Sequence, residues 1–170
     1  MTHNTLTELL YGKHAHANPI ACVEDVTAEL AARLAQGFPH SIWEIVWHMN
    51  YWMEYEIKRI HGENPAYPGH AAGSWPSDTF PDEPDWSREV VRFTALIDEL
   101  TGLARSDEET LDRPVRPPTD VADPSHSGEP VTVLDVLWQT VVHNSYHVGQ
   151  VALLRRALGI WPPQGGGDSW

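Results

Sequence analysis

The sequence has few basic residues, a single cysteine and no long apolar run, and each shortage excludes a class of function. Lys and Arg number 11 against 24 Asp and Glu, so the net charge is −13 at neutral pH. A field of that sign repels phosphate backbones and anionic lipid, and we expect neither a nucleic-acid partner nor a membrane partner. Cys22 has no second cysteine with which to form an internal disulfide.

No stretch of the sequence has the pattern of a targeting or membrane segment. The N-terminus lacks the basic region followed by an apolar region that marks a secretory signal. No apolar run approaches the roughly 18 residues that a membrane-spanning helix needs. The expected location is therefore the cytoplasm.

Apolar residues instead recur at helical spacing in four regions, of which the first is the least regular. A capping box at Thr5 predicts a short helix through Tyr11. Asn18 predicts the start of a longer helical region that ends near Gly37, with a possible break at Thr27. The inner face of that region is expected to carry Val23, Val26, Leu30 and Leu34.

Three further helices have clearer signals. The second begins at a capping box on Ser41 and ends at Gly62. A third covers about residues 85–104, where apolar residues recur every three or four positions. A fourth covers residues 132–158, with Gly159 as its C-terminal cap.

The remaining segments predict how these helices are connected. Residues 62–85 and 106–130 are rich in proline and lack apolar periodicity, so both are predicted to be long loops. No convincing strand is present. The pattern therefore predicts one all-α domain over residues 1–170, a four-helix bundle that is most simply arranged up-down-up-down.

Two histidines lie in the middle of the apolar face of the predicted fourth helix. A separation of four residues places His143 and His147 on one side of a helix, one turn apart and close enough to bind one metal ion. His48 lies near the middle of the second helix, at the apolar face, and is the candidate third ligand. The sequence therefore predicts a divalent-metal site made of His48, His143 and His147.

The alternative is that these are ordinary core histidines, each satisfied by hydrogen bonds. A pair at this spacing is a short motif that also arises by chance. Three polar rings directed into a core are costly unless something satisfies them, which favours a shared ion. No glutamate lies between His143 and His147, so the motif is not that of the zincin proteases. Three nitrogen ligands would leave at least one coordination position open, as in catalytic sites.

Other residues are weaker candidates for the same site. Glu44 lies one turn before the histidine of the second helix, but its part in the capping box explains it better. Gln150 is either a hydrogen-bond partner of the histidine pair or a helix-packing residue. His14 and His16 are interpreted as parts of a solvated turn. Three tryptophans are interpreted as packing residues, one of which could wall a pocket: Trp43, Trp47 and Trp138.

Five stretches of the sequence carry a resemblance to a known family: residues 9–16 (LLYGKHAH), 39–48 (PHSIWEIVWH), 143–150 (HNSYHVGQ), 154–156 (LRR) and 159–162 (GIWP). Their most specific part is one histidine in the second helix followed by a pair in the fourth. In these stretches the sequence resembles the DinB/YfiT-like family of metal-binding four-helix bundles, which is unrelated to the DNA polymerase that shares the DinB name. The resemblance covers nearly the whole chain.

The resemblance implies a metal triad, which falls on His48, His143 and His147, with zinc or nickel as the usual occupant. It also implies a bacterial, cytoplasmic protein that forms a homodimer. Some family members resemble transferases that use low-molecular-weight thiols such as bacillithiol or mycothiol, and many have no assigned reaction. The resemblance therefore bears on fold and site more than on activity.

Three functions stay open at this point. The leading hypothesis is a metal-dependent enzyme that acts on a small molecule, either like a thiol S-transferase or like a hydrolase. The alternative is a non-enzymatic metal-binding or stress-related helical protein. The third is a helical interaction module that holds no metal. The catalytic base, the substrate and the metal are not determined by the sequence.

Overall fold

The computed structural model describes residues 2–116 and 130–166, so the predicted loop 106–130 lies partly outside the described residues. Seven α-helices, one 3₁₀ helix and two short strands make up this part of the chain. The helices are α1 (Thr2–Leu10), α2 (Ala21–Glu24), α3 (Ala28–Ala32), α4 (Ile42–Ile60), a 3₁₀ helix (Ala71–Ser74), α5 (Glu83–Ala104), α6 (Glu108–Leu111) and α7 (Val133–Ala157). The strands are β1 (Pro114–Val115) and β2 (Val131–Thr132). The all-α prediction is confirmed, apart from this one strand pair.

Local capping determines where the long helices begin and end. The Ser41 hydroxyl accepts from the Glu44 amide while the Glu44 carboxylate accepts from the Ser41 amide, so the predicted capping box is confirmed. A second capping box, between Thr132 and Asp135, starts α7. Helix α7 ends before Gly159, whose φ of 75° is a conformation that favours glycine. These ends agree with the predicted ones within two residues.

The N-terminal region differs more from its prediction. Helix α1 begins at Thr2 rather than at the predicted cap Thr5. The predicted break at Thr27 is confirmed, because its side chain caps α3 by accepting from the Leu30 amide. Leu34 was expected on the inner face and is instead 59% exposed, since α3 ends at Ala32.

The long helices enclose the hydrophobic core in pairs. Helix α4 packs against α5 and α7, and α1 packs against the same two helices. Side chains from all four are buried at the centre, including Leu6, Met49, Met53, Phe93, Ile97, Leu137 and Leu154. Burial of these apolar groups is the main stabilising contribution to the fold. Among the described helices, none combines the length and the apolarity needed to cross a bilayer.

The predicted up-down-up-down order is wrong for α4 and α5, which run in the same direction. The Asn50 amide donates to the Glu89 carbonyl at 2.9 Å, in the first half of both helices. His61 and Glu99 lie 2.9 Å apart near the end of both helices. Because the partners advance together along the two helices, the axes are parallel.

A long connection makes this parallel arrangement possible. Residues 61–82 leave the end of α4 and must return to the level of its start before α5 begins. At up to about 3.3 Å per residue this segment can span more than the roughly 28 Å length of α4. On the way the 3₁₀ helix Ala71–Ser74 packs against α4, where it meets His48.

The strand pair was not predicted. Pro114 pairs with Thr132 and Val115 with Val131, in an antiparallel ladder. Strands of two residues are too short to produce an alternating apolar pattern, so periodicity could not reveal them. The ladder joins the segment after α6 to the first turn of α7.

Candidate metal centre

The three predicted histidines meet between α4 and α7. His48 is buried on α4, His147 is buried on α7, and His143 is half-buried one turn earlier. One ring nitrogen from each lies within 4.8 Å of the others, so the three could hold a metal ion. The rings of His48 and His147 lie 4.9 Å apart, and further along α4 the sulfur of Met53 accepts from Asn144 at 3.2 Å. Because the partner on α7 comes earlier as α4 advances, the two helices run antiparallel and face each other here.

The spacing of the nitrogens is compatible with one small divalent ion. Zinc–nitrogen bonds of 2.0–2.1 Å in a tetrahedral site place two ligand nitrogens about 3.4 Å apart. Nε2 of His143 and Nε2 of His147 are already 3.1 Å apart. The largest separation in the triad, within 4.8 Å, requires only a shift of side chains about their rotatable bonds to close on an ion.

In His48 and His147, a hydrogen bond to the protein determines which ring nitrogen carries the proton and which carries the lone pair. Nδ1 of His48 donates to the Ser74 carbonyl at 2.8 Å, because a carbonyl oxygen can only accept. Nδ1 of His147 donates to Oε1 of Gln150 at 2.7 Å. In the neutral rings Nε2 of both histidines therefore carries the lone pair that a metal needs. Outer partners of this kind are typical of histidine ligands in metal sites.

Burial disfavours the charged form of all three rings. It lowers the pKa of His48 to about 4, against the hydrogen bond to Ser74, which raises it. Burial also lowers the pKa of His143 to about 4, and the neighbouring His147 and His48 lower it further. The pKa of His147 is lowered by burial too, against its bond to Gln150. At neutral pH protons therefore compete little with an ion for the nitrogens of His48 and His143, and the shift at His147 is in the same direction.

An aromatic stack covers the outer side of His48. The Trp75 ring lies on the His48 ring with centroids 4.0 Å apart, and His40 lies on the other face of Trp75 at 3.8 Å. His40 is half-buried in this stack. The tryptophan comes directly after the 3₁₀ helix, so the same loop supplies both a hydrogen-bond acceptor and a cover for His48.

Two depressions meet at His143, the least buried of the three histidines. A cleft of about 360 Å³ between α4 and α7 is lined by Trp52, Glu56, Gln139, Thr140 and His143. An open groove of about 640 Å³ on the outside of α7 is lined by Trp138, Gln139, Val142, His143 and Tyr146. A small molecule in either depression would contact this histidine. The arrangement therefore has room for a ligand beside the three nitrogens.

Glu56 was missed by the sequence analysis. It lies eight residues after His48, on the same face of α4, and this spacing was the signal that could have revealed it. Its Oε2 accepts from Arg59 at 2.6 Å. Burial raises the pKa of this carboxyl group and Arg59 lowers it; the effect of burial is larger, so the pKa is raised overall.

Of the weaker candidates, Gln150 contacts the histidine cluster and the others discussed here do not. Gln150 is a hydrogen-bond partner of the histidine pair, whereas both oxygens of Glu44 point toward residues 40 and 41. His14 is exposed, and His16 contacts Ser145 on a different side of α7. Trp43 is buried packing with its indole N–H bonded to the residue 78 carbonyl.

Cys22 is not a reactive thiol. Its side chain is buried, and this burial raises its pKa to about 11. The thiolate is the nucleophilic form of cysteine, and at neutral pH almost none is present here. Any thiol chemistry at the histidine site would need a thiol from another molecule.

The fold and the histidine cluster define a helical protein with a candidate three-histidine metal centre. The sequence model of the DinB superfamily matches residues 14–151, a range that includes all three histidines. The match covers well over half of the chain, so the protein belongs to the DinB superfamily. A search of the curated proteins finds no match. The predicted family is confirmed, while a fold by itself hosts many functions.

Proposed function

We propose that the protein binds one divalent metal ion through Nε2 of His48, His143 and His147. The observation that carries this proposal is the convergence of three neutral rings, two of which have Nδ1 occupied by a protein acceptor. Zinc or nickel suits a set of three imidazoles, since both are commonly bound by histidine nitrogen. Three ligands from the protein leave a coordination position for a substrate.

We further propose that the site is that of a metal-dependent enzyme acting on small molecules. A bound ion of this kind lowers the pKa of a coordinated thiol or water and polarises a carbonyl group. The cleft and the groove beside His143 supply space for a low-molecular-weight thiol and an electrophile, or for a hydrolysable substrate. The buried state of Cys22 supports a thiol that comes from outside the protein. The net charge of −13 makes nucleic acid and anionic membranes poor partners. The proposed location is the cytoplasm.

The proposed assembly is a homodimer of four-helix bundles. Helices α1, α4, α5 and α7 would form one bundle, with α4 parallel to α5 and antiparallel to α7. Val142, Tyr146 and Leu153 are each more than half exposed and share one outer face of α7, where a second copy would cover them and form the outer wall of the groove beside His143. Sedimentation of Leu153→Glu, with Val91→Glu on α5 as a matched control, tests this face: only the first variant should dissociate.

Metal analysis tests the binding proposal. The purified protein should contain up to one divalent ion per chain and should take up zinc after treatment with a chelator. His147→Ala should weaken metal binding by orders of magnitude. His61→Ala, an exposed histidine that pairs with Glu99, should leave it unchanged. Equal affinity in His147→Ala and the parent would remove this histidine from the site.

Activity assays then separate an enzyme from a metal-binding protein without catalysis. A panel of thiols with a small electrophile, run beside a panel of esters and amides, should show turnover that disappears with chelator and returns with added metal. Stoichiometric metal with no turnover in either panel would favour the non-enzymatic alternative.

A further inference from the structure

We infer that the cleft between α4 and α7 selects small molecules that end in a primary ammonium group, which Glu56 binds while the other end reaches the metal centre. This inference rests on the proposed metal site, because the metal would hold the opposite end of the ligand. It adds a substrate class and a specificity residue to that site.

The first support is the layout of α4. His48, Trp52 and Glu56 are spaced by four residues and so form one stripe along the helix. Glu56 lies about 12 Å along the helix axis from His48. His143 lines the same cleft as the last two members of the stripe. The lining of this one cleft therefore contains both a triad ligand and a carboxylate.

The second support is the charge of the cleft lining. Glu56 is the one charged side chain among the five residues that line the cleft. Arg59 bonds to Oε2 but is itself buried and held toward the carbonyl of Arg116. Within residues 2–116 and 130–166, Oε1 of Glu56 accepts no hydrogen bond. One oxygen of a largely buried carboxylate is therefore left for a ligand.

The third support is that two further side chains of the cleft offer an oxygen that can accept, and a third offers an aromatic ring. The Thr140 hydroxyl donates to the carbonyl of Val136 at 2.9 Å, so its oxygen is left to accept. The Gln139 amide has an acceptor oxygen beside its NH2 donor, and Trp52 adds an aromatic ring of the kind on which cations are bound. A primary ammonium has three donors and no acceptor, so it can donate to the oxygens of Glu56, Thr140 and Gln139.

The test uses the cobalt(II)-loaded full-length protein and a matched series of thiols. The probes are 6-aminohexane-1-thiol, 6-mercaptohexan-1-ol and 6-mercaptohexanoate, which differ only in the end remote from sulfur. Each thiol is titrated into the protein while the thiolate-to-cobalt charge-transfer absorption is followed. This signal reports binding without any turnover. The ammonium thiol should bind about tenfold or more tightly than the hydroxyl thiol, and the carboxylate thiol should bind most weakly.

Variants assign the preference to Glu56. In Glu56→Gln the advantage of the ammonium thiol over the hydroxyl thiol should disappear, while the affinity for the hydroxyl thiol stays nearly the same. Glu99→Gln removes the same charge from the exposed face of α5 and should keep the full preference. The order of the three thiols on the parent protein tests the inference even if Glu56→Gln fails to fold.

The outcomes separate this inference from the proposed function. Three thiols that perturb the cobalt spectrum with equal affinity would overturn the ammonium preference and leave the metal site standing. A preference that survives in Glu56→Gln would overturn the assignment to this residue. A protein that takes up no cobalt would overturn the proposed metal site, and this inference with it.

Discussion

Replacing Gln150 tests whether a hydrogen bond to Nδ1 of His147 orients this candidate metal ligand. Oε1 of Gln150 accepts from Nδ1 of His147 at 2.7 Å, which keeps the lone pair on Nε2. In Gln150→Ala this acceptor is gone, so the ring can place its proton on either nitrogen and can rotate more freely. The residue is only half-buried, and the substitution should cost the apo protein no more than about 1 kcal/mol.

The expected loss of metal affinity follows from the role of such partners. Removing an acceptor behind a metal-bound histidine typically weakens binding about 10- to 100-fold. At about 1.4 kcal/mol per factor of ten, this corresponds to roughly 1.4–2.8 kcal/mol. Gln150→Glu should bind at least as tightly as the parent, because a carboxylate accepts more strongly than an amide.

Tyr146→Phe is the matched control for this prediction. The Tyr146 hydroxyl accepts from Nε2 of Gln150 at 3.1 Å and makes no bond to His147. Its loss should change metal affinity much less than the loss of the glutamine itself. The measurement is a calorimetric zinc titration, in competition with a chelator where binding is tight. An unchanged dissociation constant in Gln150→Ala would refute the argument that this side chain sets the state of His147.

The remaining predictions concern stability and its dependence on pH. Arg155 is 2% exposed and bonds to Asp25 and to the carbonyls of Cys22 and Ile160, so Arg155→Met should lower the free energy of unfolding by roughly 3–5 kcal/mol in urea denaturation. Burial raises the pKa of Asp25, but its bonds to Arg155 and the Gln164 amide outweigh this and lower it from its usual 3.8. Stability from Asp25 is therefore full above about pH 5 and is lost as the pH falls through the lowered pKa; urea titrations of Asp25→Asn should lack this part of the acid dependence. His40→Ala loses the stack on Trp75, so its free energy of unfolding should fall by about 0.5–1.5 kcal/mol, as measured in thermal melts. His61→Ala, which removes an exposed histidine, should leave the free energy of unfolding nearly unchanged.

Local patterns in the sequence determined most of the helices and the choice of candidate metal ligands. Ser41, Thr132 and Gly159 act within one turn of their own position, so their effects could be predicted without knowing the fold. The three histidines could be selected because helical spacing places each one on an apolar face. Leu34 was misplaced because the end of α3 depends on packing rather than on spacing.

Only the tertiary structure decided how the helices are arranged and what surrounds the histidines. The parallel course of α4 and α5 depends on the path of a long loop, whose composition leaves its direction open. The same loop brings the Ser74 carbonyl and the Trp75 ring to His48 from 26 and 27 residues away, and no local pattern encodes such a contact. Glu56 lines a cleft only because α7 packs opposite it in the folded protein. Contacts between distant segments depend on how whole elements pack, and for that reason periodicity and capping could not predict them.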